Sequence, residues 1–148
     1  MLLTTSAALL LAAPACGGQH RPLDAHAVRV ADLFMTELVV HKNPTAARKY
    51  ADAGVGSAVP DLRAGVRNQG LNRIVGHGRI IRGCMGTVGS ITVSQSGDDC
   101  IRFLVKGRYT LSHLHLSTAV FNLYMSPIKG SWRVSSYDVR YGSVLGSP

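Results

Sequence analysis

The chain has 148 residues, 46% hydrophobic and 16% charged, which supplies apolar material for one packed domain and excludes a disordered, charge-dominated chain. Sixteen Lys and Arg against eight Asp and Glu give a net charge of +8. The basic residues are not interleaved with base-stacking aromatics, which argues against nucleic acid and leaves anionic lipid headgroups, cell-wall polymers, an acidic partner or a merely soluble surface.

Residues 1–15 are uncharged and largely apolar, but the apolar core is far shorter than the roughly 20 residues that span a bilayer. A short apolar core followed by small residues has the character of a signal peptide. Cys16-Gly17-Gly18 follows at once. The arrangement resembles a bacterial lipoprotein leader, whose cysteine becomes the lipid-carrying N-terminus. Cys16 is therefore the expected lipidation site, with 1–15 a signal peptide, 16–23 a tether and 24–148 a single domain held to the membrane by its lipid. Two or three acyl chains, as such lipoproteins carry, make anchoring stable. Ala13-Pro14-Ala15 also fits ordinary secretory cleavage, so plain secretion is the alternative. The lack of Lys or Arg before the apolar core leaves open a start upstream of Met1.

Asp24 predicts a helix N-cap. Val30, Leu33, Phe34, Leu38 and His41 then recur at helical spacing over 27–41. Asn43-Pro44 stops that helix and starts a second, which runs to about Asp52 and ends near Gly54. A third, shorter helix is expected from Pro60 to Asn68, closed by Gly70. His77 sits between Gly76 and Gly78 and reads as a loop residue. Such a loop can present a general base, or bind an anion with Arg73 and Arg79; a plain linker is the simpler reading.

After Arg79 the period becomes alternating. Val88, Ser90, Thr92 and Ser94 oppose Ile91 and Val93, and 95–98 are expected to turn a hairpin. Next, Ile101, Phe103, Val105, Tyr109 and Leu111 face one way, while Arg102, Lys106, Arg108 and Thr110 face the other. Arg102, Lys106 and Arg108 are thus a candidate partner- or anion-binding row, weighed against simple solvation. A third strand covers 114–125, a turn covers 127–130, and a fourth strand covers 131–141. In the fourth, Trp132 and Val134 share one face. Tyr137, Val139 and Tyr141 continue inward only if a bulge near Ser135-Ser136 shifts the register.

With Cys16 lipidated, Cys84 and Cys100 remain in an oxidising compartment, where a disulfide is the default. It would close a loop of about 17 residues and add about 3 kcal/mol. Metal binding is the weaker option, because no Cys-x-x-Cys or matched His pair accompanies them.

Helices first and four long strands after predict an α+β fold, with N-terminal helices packed on a curved four-stranded antiparallel sheet. The element order resembles the nuclear transport factor 2-like (cystatin-like) superfamily. So do the helix start Asn43-Pro44-Thr45-Ala46-Ala47 and the ending Lys129-Gly130-Ser131-Trp132-Arg133-Val134-Ser135-Ser136-Tyr137-Asp138-Val139. The resemblance implies a cone-like sheet with a pocket. Enzymes of that superfamily, the ketosteroid isomerases and polyketide cyclases, use a buried Asp or a His-Asp pair as general base. On this chain the candidates are Asp138 and His77. His113 and His115 point the same way on a strand, but no carboxylate lies near them in sequence, so no metal and no cofactor are expected. The expected function is an envelope-anchored, non-catalytic domain binding a protein or a small apolar or anionic ligand, with no nucleic-acid partner. The alternative is a small exported enzyme of the cyclase or isomerase type.

Overall fold

The computed structural model describes residues 23–80, 86–88, 91–93, 100–108 and 115–145. The leader, Cys16, Cys84 and His113 lie outside them. Asp24 accepts the Ala27 amide at 2.8 Å, and helix α1 (Ala25–Met35) starts there. It buries Ala27, Val30, Ala31, Phe34 and Met35. The chain then widens into a π-helical turn, Thr36–Val40, whose wide hydrogen bond runs from the His41 amide to the Thr36 carbonyl at 3.0 Å. The extra residue rotates His41 off the expected apolar face. His41 is exposed and meets Glu37 at 3.1 Å.

The second helix is shorter than its pattern suggests. α2 (Pro44–Ala47), capped by Asn43, tightens into one 3-10 turn, Arg48–Tyr50, and ends at Ala51. Asp52 does not end that helix. Its side chain accepts the Val55 amide at 2.7 Å and caps α3 (Ala53–Asn68), which therefore begins well before the expected Pro60. Pro60 lies inside α3 on its exposed side. Val55, Val59, Leu62 and Val66 form the buried stripe, and Gly70, at φ +63°, closes the helix.

Four strands form the main antiparallel sheet in the order β1-β4-β5-β6: β1 (Leu71–Ile80), β4 (Cys100–Gly107), β5 (His115–Ile128) and β6 (Ser131–Leu145). β1 occupies the stretch expected to be a loop. It is an edge strand with two register shifts, where Gly76 and Gly78 cost little pairing. β2 (Gly86–Val88) and β3 (Ile91–Val93) pair only with each other, Val88 opposite Ile91. The expected single strand through this region is thus a separate small hairpin.

The β5–β6 hairpin turns at Lys129 (φ 49°) and Gly130 (φ 79°), the left-handed pair that matches strand twist. Tyr124 faces Ser136, then Met125 faces Val134, leaving Ser135 as the extra residue of a bulge. Its hydroxyl bonds to Ser126 Oγ at 2.9 Å and donates to the Tyr124 carbonyl at 3.2 Å. The shift keeps Trp132 and Val134 in the core while Tyr137 and Val139 also pack against it.

The helices cover one face of this sheet, giving an α+β architecture. Phe34, Phe103, Phe121, Leu123, Val59 and Val66 are fully buried between them. No helix among the described residues is long and apolar enough to cross a membrane. Near one end of the sheet, Tyr141 lies edge-on to Phe121, with ring centroids 6.4 Å apart, and a Cβ at Gly65 would meet its hydroxyl. Burial first, and Tyr137 second, raise the Tyr141 phenol above 10.0. The folded chain holds that proton more tightly than the unfolded chain. Stability is therefore full below pH 10.0 and falls as pH rises from there toward the raised folded value. Tyr141→Phe is expected to remove this part of the alkaline decline, measured by denaturant unfolding at and above pH 10.0. An unchanged decline would mean the phenol is not desolvated.

Candidate functional site

The expected basic row divides. Arg102 and Lys106 lie on the sheet face opposite the helices, because Ile101, Phe103 and Val105 take the inner positions. β4 ends at Gly107, and Arg108 follows it into a different place. Tyr109 and Leu111, expected to extend the strand, are outside the described residues.

On the outer face, Arg102, Asn122 and Asp138 stand directly opposite one another across β4, β5 and β6. Arg102 Nε donates to Asn122 Oδ1 at 2.9 Å, and Asn122 Nδ2 donates to Asp138 Oδ2 at 3.2 Å. Arg140 Nε lies 3.4 Å from the same oxygen. Asn122 is 2% exposed and Asp138 8%, so the pair is buried although it stands on the face away from the helices. The small strand β2 packs against β6. Asp138 is thus an acceptor fixed by two donors, on the side of the sheet away from the helices. Asn122→Ala is expected to cost about 1–3 kcal/mol, because it leaves the buried Asp138 carboxylate one donor short. Urea unfolding measures it, and a loss within error would place the network in water.

Cys100 and Tyr124 are cross-strand partners on that same face, and both are buried. Cys100 is disulfide-bonded, and its partner lies outside the described residues.

His77 lies on strand β1, not on a loop. Its ring sits 5.4 Å from Phe103, and its Nδ1 is 3.7 Å from Asp32 Oδ1 on α1. The His77 and Asp32 side chains are 40% and 46% exposed, so water reaches both. The side chain of His115, on β5, is outside the described set. Among the described residues, no three His, Cys, Asp or Glu side chains gather as a metal site.

A basic site lies at the α3–β1 turn. A cavity of about 910 Å³ is lined by Lys42, Arg63, Arg67, Arg73 and Arg108, with Val40, Gly70, Leu71 and Asn72 beside them. Among the described residues, no carboxylate lines it. Arg63 and Arg67 are one helical turn apart on α3, so they share a face. Lys42 follows the π-helical turn and holds φ at 59°, a left-handed conformation that a lysine adopts only at a cost. The α3 C-terminal carbonyls account for a cation at Arg67. They do not account for Arg63, whose Nη1 is buried without a hydrogen-bond partner.

Only Arg108 of the expected row enters this cavity. Arg63, Arg67 and Lys42 were not grouped with it by sequence, and Arg73 was read as an anion-binding candidate with His77 and Arg79, apart from Arg108. A further signal was the acid-free stretch between Leu62 and Gly97. Comparison with protein-family models, with curated proteins and with solved structures finds no match for this chain.

Proposed function

We propose that this chain is an envelope lipoprotein, anchored through Cys16, whose α+β domain binds an anionic ligand and is not a catalyst. The observation that carries the binding reading is the cavity at the α3–β1 turn. It gathers five cations, with no carboxylate or histidine among its described lining residues, so it attracts negative charge. The exported address is supported by the apolar leader ending at Cys16 and by the disulfide at Cys100, since such bonds persist in oxidising compartments. Cys84 is the partner we assign to it. Kinship with the nuclear transport factor 2-like superfamily is supported by the helices-first order, the four-stranded antiparallel sheet and the ending 129–139.

The cyclase or isomerase reading rests on His77 with Asp32. Both are open to water, whereas proton abstraction of that kind works best in a desolvated pocket. Asp138 is held between Asn122 and Arg140 on the other side of the sheet.

The test is the melting temperature of the full-length chain in low salt, with citrate or pyrophosphate added. A ligand bound only by the folded state raises it as concentration passes the dissociation constant. The rise is expected in wild type and in His77→Ala, and is lost in the double variant Arg63→Gln/Arg108→Gln. No rise with either anion overturns the binding reading.

A further inference from the structure

We infer that the cavity at the α3–β1 turn is a site for a ligand carrying two linked or adjacent phosphate groups, with Arg63 as its anchor. This rests on the anion-binding reading above and narrows it to one chemistry.

Charge comes first. Five cations line the cavity, with no carboxylate among its described lining residues, and each phosphate brings about −1.5 to −2 at neutral pH. One phosphate leaves much of that charge unmatched, whereas two come nearer to balance. The cations also come from four separate places: Lys42 after the π-helical turn, Arg63 and Arg67 on α3, Arg73 on β1, and Arg108 beyond β4. A planar carboxylate accepts a guanidinium fork along one edge. A phosphate presents oxygens on all sides and can be gripped from several directions at once. Four of the five cations are exposed, so the cavity is open, and its volume of about 910 Å³ admits more than a single small anion.

Two local features shape the wall of the cavity. Arg63 Nη1 is buried without a hydrogen-bond partner, so a small shift that lets it reach an acceptor is favoured. Lys42 is held at a positive φ where the helix ends, closed by the Asn43 amide on the Glu37 carbonyl at 2.8 Å, which fixes where its side chain leaves the backbone.

The experiment is calorimetric titration of the full-length chain with pyrophosphate, orthophosphate and citrate, together with sedimentation on vesicles. The vesicles are phosphatidylcholine alone, or phosphatidylcholine with phosphatidic acid. Pyrophosphate is expected to bind more tightly than orthophosphate or citrate, and more weakly as salt is raised. Arg63→Gln/Arg108→Gln is expected to lose on the order of 100-fold in pyrophosphate affinity, two charge-assisted contacts being removed. Arg48→Gln/Lys49→Gln removes the same charge from exposed positions outside the cavity and is expected to change it by less than about threefold. The salt dependence in wild type stands even if a variant folds poorly.

Pyrophosphate binding joined by sedimentation on phosphatidic acid vesicles that needs Arg63 and Arg108 supports the inference and assigns the phosphates to lipid headgroups. Pyrophosphate binding without such sedimentation supports it and assigns them to a soluble or polymeric phosphate. Citrate binding as tightly as pyrophosphate overturns the phosphate assignment and leaves the anion-binding reading in place. No binding of any anion overturns both. An equal loss in the two double variants overturns the assignment to this cavity.

Discussion

Phe121→Ala is expected to destabilise the domain by about 3–5 kcal/mol, the largest effect of any single truncation considered. Phe121 is fully buried at the centre of β5. It faces Phe103 across one strand boundary and Val139 across the other. Tyr141 meets its ring edge-on, and Phe34 of α1 belongs to the same core cluster. Removing the ring loses its transfer free energy and leaves a cavity that strands held in register on both sides cannot close. A domain of this size is typically stable by only about 5–15 kcal/mol, so a fifth or more of the margin disappears. Chemical denaturation of the two proteins measures the difference. Leu104→Ala, on the outer face and 37% exposed, is expected to cost far less. Similar losses in the two variants would mean that the helices do not cover the Phe121 face.

Gly107→Ala is expected to act on both stability and ligand affinity. A Cβ at Gly107 would stand 2.8 Å from the Gly70 carbonyl oxygen and 3.5 Å from Ser117 Cβ. The first of these is backbone, fixed at the positive-φ residue that closes α3, and cannot rotate out of the way. Overpacking of this kind costs about 1–3 kcal/mol. The relief available is displacement of the α3–β1 turn, which carries Leu71, Asn72 and Arg73 into the cavity wall. Pyrophosphate affinity is therefore expected to fall although every cation is retained. Gly65→Ala is the contrast. Its Cβ meets the end of the Tyr141 side chain, which can move aside only by giving up its contact with Phe121, so a modest loss of stability with unchanged pyrophosphate affinity is expected. Melting and calorimetry on the two alanine variants test this pair. Unchanged affinity in Gly107→Ala would separate the turn from the site.

The legible parts of the sequence were those in which a local rule and the packing agree. Ile101, Phe103 and Val105 alternate with Arg102 and Lys106, and β4 follows that alternation. The apolar positions of β6 change phase after Val134, and the bulge at Ser135 supplies the one-residue shift they require. Asp24 and the Lys129-Gly130 turn were readable for the same reason. β1 was not, because Gly76 and Gly78 interrupt its alternation and an edge strand with bulges needs little of it. The start of α3 was missed because Pro60 looks like a first-turn proline, whereas the cap is Asp52. At the site, Arg108 and Arg73 were readable as anion-binding candidates, but in separate readings, and Lys42, Arg63 and Arg67 were not. Lys42, Arg63, Arg67 and Arg73 come from elements that only the tertiary fold brings to Arg108. Asp138 was visible too, but its burial and its donors, Asn122 across the sheet and Arg140 beside it, are set by the tertiary fold.

The most direct test of the account is the intact mass of the protein purified from its own membrane, recorded first under native and then under denaturing conditions. The account predicts a chain beginning at Cys16 that carries diacylglycerol and an acyl chain, less two protons for the disulfide at Cys100. It also predicts an additional phosphate-containing mass that is present natively and lost on denaturation. An unprocessed chain without lipid, or a processed one that carries no ligand and gains none when pyrophosphate is added, would contradict it.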